Sequence, residues 1–167
     1  RGPHCRAAIR SRAAAPGRVV PDDADGESEL HPIYVTGYGI GADPIFANGV
    51  KLINDSCENV VFQGIEFAGG FTALSGANLL LDNVHFRNIE IEAVNVQNVD
   101  GFTLRNAEVL DTIRKGTSDG SDYWAPMDNR RSGVFISKSD GLLLEHLLID
   151  HSGWAEGYDY NMSADYG

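Results

Sequence analysis

Asn59-Val-Val-Phe-Gln-Gly-Ile-Glu-Phe67 decides the fold, because the chain writes the same pattern three more times. Asn78-Leu-Leu-Leu-Asp-Asn-Val-His-Phe86, Gly101-Phe-Thr-Leu-Arg-Asn-Ala-Glu-Val109 and Gly141-Leu-Leu-Leu-Glu-His-Leu-Leu-Ile149 follow at offsets of 19, 23 and 40 residues. Each segment reads turn, apolar, x, apolar, polar, corner, apolar, x, apolar. Alternation with period two makes each half a short strand. The inward set is then Val60, Phe62, Ile65 and Phe67, followed by Leu79, Leu81, Val84 and Phe86. It continues with Phe102, Leu104, Ala107 and Val109, and with Leu142, Leu144, Leu147 and Ile149. The corner holds Gly64, Asn83, Asn106 and His146. Gly and Asn tolerate left-handed backbone angles, so His146 reads as a bend residue before it reads as a catalyst.

A third short strand precedes each unit: Phe71-Thr-Ala73, Val94-Asn-Val96 and Val134-Phe-Ile136. A coil of three strands and about 20 residues cannot bury its apolar face alone, so successive coils must stack. A leucine-rich repeat shares the period but needs a helical or 3₁₀ segment in every repeat, which this pattern lacks. The expected fold class is all-β: a right-handed parallel β-helix of about four to five coils over about 45–150, truncated at the C-terminus.

Outside the repeat, composition sets limits. The 167 residues carry 13 Lys plus Arg and 24 Asp plus Glu, a formal charge of −11. Such a balance argues against a nucleic-acid or anionic-membrane binder, since phosphate needs a basic face. No apolar run approaches the roughly 18 residues of a bilayer span. Residues 1–20 hold five arginines and no acid, whereas 21–30 hold five acids. With almost no apolar periodicity, 1–30 reads as a disordered or non-native segment that adds nothing to the core, and 31–167 as the partial β-helix domain. Arg1 at the start suggests a fragment or a processed product. Cys5 and Cys57 either pair in an oxidising compartment or stay free, and free thiols are expected because Cys5 lies in that segment.

Here a resemblance enters. Asn59–Phe67 resembles the N-V-x-x-x-G-I-x-F coils of right-handed parallel β-helix proteins in the pectate-lyase-like superfamily. Pro32-Ile-Tyr-Val-Thr-Gly-Tyr-Gly-Ile-Gly-Ala-Asp-Pro44 is similar to the entry that precedes such coils in secreted carbohydrate-active members. Asp150-His-Ser-Gly-Trp-Ala-Glu-Gly157 resembles a loop of bacterial repeat members. The resemblance spans roughly 31–160 and implies a secreted, cell-surface or periplasmic protein with a polysaccharide partner. The hydrolase-type N-T-D…D-D acids and the epimerase-type D-P-H-D are both absent from the sequence. Fold alone does not decide among activities.

The 40-residue offset exceeds a coil by about 18 residues, an insertion between Asp111 and Arg131. A second excursion begins after Ile149. Both leave the same strand position on adjacent coils, so their bases are expected side by side, about 5 Å apart. Together they hold Tyr123, Trp124, Arg130, Trp154 and Tyr158 as candidate sugar-binding residues, ring faces and cations suiting a sugar acid. Lys115, Arg131 and His151 are candidates for β-elimination, which needs a neutralised uronate carboxylate and a base. Asp119, Asp122 and Glu156 offer oxygen ligands to Ca²⁺. The expected function is a polysaccharide lyase-like or otherwise glycan-cleaving monomer. The alternative is a non-catalytic carbohydrate-binding or structural adhesin module. Elsewhere, His85 is expected outward between Glu66 and Glu108, and Gln63, Asp82, Arg105 and Glu145 in an outward ladder of mixed charge.

Overall fold

The computed structural model describes residues 26–37, 40–52, 57–89, 92–114, 132–150 and 152–154. Among these there is no helix. Twelve strands follow in order: β1 Ile33–Thr36, β2 Ile45–Phe46, β3 Val50–Leu52, β4 Cys57–Phe67, β5 Phe71–Ala73, β6 Gly76–Arg87, β7 Val94–Gln97, β8 Val99–Leu110, β9 Ile113–Arg114, β10 Val134–Ser137, β11 Leu143–Asp150 and β12 Gly153–Trp154. One sheet runs β1-β4-β6-β8-β11, with β2 beside β4; a second runs β3-β5-β7-β10; β9 and β12 form a third. Every strand pair is parallel.

The registers reproduce the sequence offsets. Phe62 pairs with Leu81, Leu81 with Leu104, and Leu104 with Leu144. The product is a β-solenoid in which four long rungs, β4, β6, β8 and β11, are joined by about three turns. This is slightly fewer than the four to five coils expected, because β1 and β2 are short pieces laid on β4 rather than a full rung.

Inward residues form a dry column core. Phe62, Ile65, Phe67, Leu79, Leu81, Val84, Phe86, Phe102, Leu104, Ala107 and Val109 are all buried. Phe67 is its hub, with ring centroids 5.6 Å from Phe46, 6.3 Å from Phe62 and 6.1 Å from Phe71. It also lies flat on Phe86, at 4.8 Å and 9°. Each fully buried side chain of this kind contributes roughly 1.5–3 kcal/mol of transfer free energy.

Two left-handed residues punctuate each rung. The corner has φ 62 at Gly64, 51 at Asn83, 50 at Asn106 and 52 at His146. The turn has φ 56 at Asn59, 54 at Asn78, 71 at Gly101 and 62 at Gly141. The corner makes the inward parity jump by three residues, from Phe62 to Ile65, so both arms of the rung face one core. At the turn, Asn78 Nδ2 donates to Asn59 Oδ1 (2.9 Å) and Asn59 Nδ2 donates to the Gly26 carbonyl (3.1 Å). Gly101 then occupies the next place, where a Cβ would come 2.8 Å from Asn78 Oδ1.

Gly26 is buried and its N–H donates to the Glu58 carbonyl (3.0 Å); residues 1–25 of the N-terminal segment lie outside the described residues. One expectation is revised. Cys57 is disulfide-bonded rather than free. It is fully buried at the start of β4, and Cys5, the other cysteine of the sequence, lies outside the described residues.

Candidate functional site

The solenoid fixes where both excursions begin. After Val109 the chain passes Asp111, left-handed at φ 55, whose N–H donates to the Asp150 carbonyl at 3.3 Å. It then enters β9, which pairs in register with β12: Ile113 with Gly153, and Arg114 with Trp154. The bases of the two excursions are therefore adjacent parallel strands, as their equivalent positions predict. The insertion returns at Ser132 and Gly133, directly before β10. Gly133 is buried against the same place: a Cβ on it would come 2.7 Å from Ser152 Oγ and 3.0 Å from Ile149 Cγ2. Both ends of the insertion thus bracket the start of the second excursion. At this foot the Thr112 hydroxyl is fully buried and has no hydrogen-bond partner among the described residues.

Of the residues singled out from the sequence, Trp154 is placed as a backbone position in β12, beside Arg114. Lys115, Arg131, His151, Tyr123, Trp124, Arg130, Tyr158, Asp119, Asp122 and Glu156 lie outside the described residues. Among the described residues no group of three or more His, Cys, Asp or Glu side chains is arranged to hold a metal ion.

A polar face that the sequence reading passed over lies next to the insertion. On the short sheet, Lys51 pairs with Thr72, Thr72 with Asn95, and Asn95 with Phe135. These are outward positions: on β3, β5 and β7 they alternate with buried neighbours, and on β10 the Val134 and Ile136 beside Phe135 are half-buried. Gln97 Nε2 donates to Asn95 Oδ1 at 2.9 Å, and the Phe135 ring is 43% exposed. The signal was the middle residue of the apolar-x-apolar triplets Val50-Lys-Leu52, Phe71-Thr-Ala73, Val94-Asn-Val96 and Val134-Phe-Ile136.

The outward columns of the long sheet hold the other chemistry. Asp82 is a hub: Arg105 donates to its Oδ2 (2.9 Å), Gln63 Nε2 to the same oxygen (3.2 Å), and Asn106 Nδ2 to Oδ1 (2.8 Å). Arg105 beside it holds the Asp82 carboxyl below its ordinary value; burial opposes this, and Asn106 and Gln63 reinforce it. The same contact raises the Arg105 guanidinium. In the second column His85 sits between Glu66 and Glu108. Its Nδ1 is 3.2 Å from Glu108 Oε2 and its Nε2 is 3.9 Å from Asp43 Oδ2, while Arg87 donates to Glu108 at 2.7 Å. Asp43 belongs to the loop that, with Gly64, walls a shallow depression of about 350 Å³. These partnered groups fit the mixed-charge ladders expected from the sequence.

No protein-family profile, curated protein or solved structure matches the chain.

Proposed function

We propose that the chain binds and cleaves an acidic polysaccharide where its two excursions leave the solenoid. The observation that carries this reading is the parallel pairing of β9 with β12, which starts both excursions as neighbours. Arg114, Lys115, Arg130 and Arg131 concentrate cations in one insertion of a chain whose formal charge is −11, which suits a carboxylate-bearing sugar. The exposed Phe135 and the Asn95 amide extend the face along the short sheet. In this reading Tyr123, Trp124, Arg130, Trp154 and Tyr158 hold the sugars. Arg131 neutralises a uronate carboxylate, and Lys115 or His151 takes the proton from the carbon beside it. The electron pair forms a C=C bond as the glycosidic C–O bond breaks, and the leaving oxygen gains a proton. Asp119, Asp122 and Glu156 are the oxygen donors that would suit Ca²⁺, which would supply further charge neutralisation.

The test is ultraviolet detection of unsaturated product across a panel of uronate polymers, with and without calcium, alongside binding measurements. Cleavage is expected for at least one polymer. Trp124→Ala should weaken binding, and Lys115→Ala or His151→Ala should lower turnover by roughly 10²–10⁴ with binding retained. Binding without product would replace the lyase by a non-catalytic module. Absence of binding to every polymer would overturn the reading.

A further inference from the structure

The long sheet carries a recessed groove on the first arm of its rungs, whereas both excursions leave after the second arm. The floor is the outward column Val61, Leu80 and Thr103, one residue from each of β4, β6 and β8, and Tyr34 of β1 is next in register at one end. Val61 is 7% exposed although it points away from the core, and Leu80 and Thr103 are half-buried. The column thus lies at the bottom of a hollow of about 360 Å³, within the range of small-ligand sites. One wall is the turn column. Asn78 Nδ2 donates to Asn59 Oδ1 (2.9 Å), but Gly101 stands where a third amide would continue the ladder. Asn78 Oδ1 therefore accepts from no side chain among the described residues. Glu29, in the segment before β1, also lines the hollow and has no ion-pair partner among the described residues. Among those residues no Lys, Arg or His lines it. Arg105, two residues along β8 from Thr103, is committed to Asp82 at 2.9 Å.

We propose that this groove binds an uncharged stretch of polysaccharide, at a site separate from the two excursions. The lining selects the ligand. With Glu29 present and no cation beside it, a uronate or phosphate would enter with its charge unpaired and against a like charge. The open Asn78 oxygen and the Glu29 carboxylate only accept hydrogen bonds, so the occupant must donate them, as sugar hydroxyls do. The aliphatic floor and the Tyr34 ring suit the C–H faces of sugar rings. A peptide strand draws its affinity from backbone pairing at a sheet edge, and β4, β6 and β8 are already paired on both sides. Successive rungs are about 4.8 Å apart, close to the advance of one sugar in an extended chain. Consecutive rings then lie over Thr103, Leu80 and Val61, and the last one meets Tyr34. None of these residues takes part in the cleavage reading, so the groove stands or falls apart from it.

Isothermal titration of the full chain, with its disulfide intact, should show binding of at least one uncharged oligomer of β-linked glucose, xylose or mannose. Hydroxyl-radical footprinting should show Tyr34 protected by that oligomer. Tyr34→Ala should weaken the binding about tenfold or more, while Tyr34→Phe, which keeps the ring, should stay within about twofold. Tyr34 is 62% exposed, so the unfolding midpoint should stay where it is in both variants. An oligouronate should neither protect Tyr34 nor compete with the uncharged oligomer. Absence of binding by every uncharged oligomer, undiminished binding by Tyr34→Ala, or protection of Tyr34 by the oligouronate would each overturn the proposal.

Discussion

Phe67→Ala is the substitution that examines the stacked core most directly. Phe67 meets four other rings, including Phe86 at 4.8 Å, and has no exposed surface. Truncating a buried phenylalanine costs about 3–5 kcal/mol in transfer and cavity terms. The upper half of that range applies here, because Phe46, Phe62, Phe71 and Phe86 sit on separate rungs or strands whose backbone ladders resist collapse into the hole. Against a total of roughly 5–15 kcal/mol for a domain of this kind, that is a large fraction. With a urea m-value of about 2 kcal/mol/M, a loss of about 4 kcal/mol lowers the unfolding midpoint by about 2 M. Urea titration followed by circular dichroism, with the disulfide kept oxidised, measures it. Tyr34→Ala serves as reference, because Tyr34 is 62% exposed and faces away from the core; its cost should stay within about 0.5 kcal/mol. Equal midpoints for the two variants would refute the column core.

Two further outcomes concern the outward ladder and the corners. The Asp82 carboxyl is depressed below 3.8 in the folded chain by Arg105, so its stabilisation is complete above the unfolded value and is lost as pH falls through the folded one. Asp82→Asn should cost about 1–2 kcal/mol at pH 7, toward the lower end because Arg105 is partly exposed, and should flatten the acid limb of stability below about pH 4, as measured by urea midpoints against pH. At the exposed corner Asn83, with φ 51, Asn83→Gly should be near neutral, while Asn83→Val should cost about 1–2 kcal/mol because a β-branched residue resists the left-handed region; thermal melts separate the two.

The rungs were legible because a solenoid converts sequence offset directly into register. Phe62, Leu81, Leu104 and Leu144 can be aligned by eye, and the backbone ladder aligns them in the same way. The corners were legible for the same reason, since Gly64, Asn83, Asn106 and His146 share a conformation that Gly and Asn already announce. Shorter elements were harder. Val50-Lys-Leu52 forms β3 on the strength of its pairing with Phe71–Ala73, a cross-coil contact that three residues do not signal alone. The Cys57 disulfide was not decided by the sequence, because a count of two cysteines fits a bridge and free thiols equally. Contacts such as Asp43 with His85 depend on a loop without period and could not be read from spacing. The insertion after Arg114 likewise has no repeat from which to place its side chains, and there the sequence yields residue types rather than a geometry.

The pairing of β8 with β11 has a consequence for how this molecule can change. Leu104 still meets Leu144 and Val109 still meets Ile149, although the chain between the rungs is almost twice the length of the 23-residue step before it. The ladder takes no account of what is spliced between its rungs, and doubling a flexible loop adds only about 0.6 kcal/mol of closure entropy. The position after Arg114 therefore works as a socket: another loop of similar or greater length, with other side chains, leaves the register of Leu104 with Leu144 and of Val109 with Ile149 as it is. Recognition and folding are thereby written in separate parts of one repeat, and the former can diverge while the latter stands still.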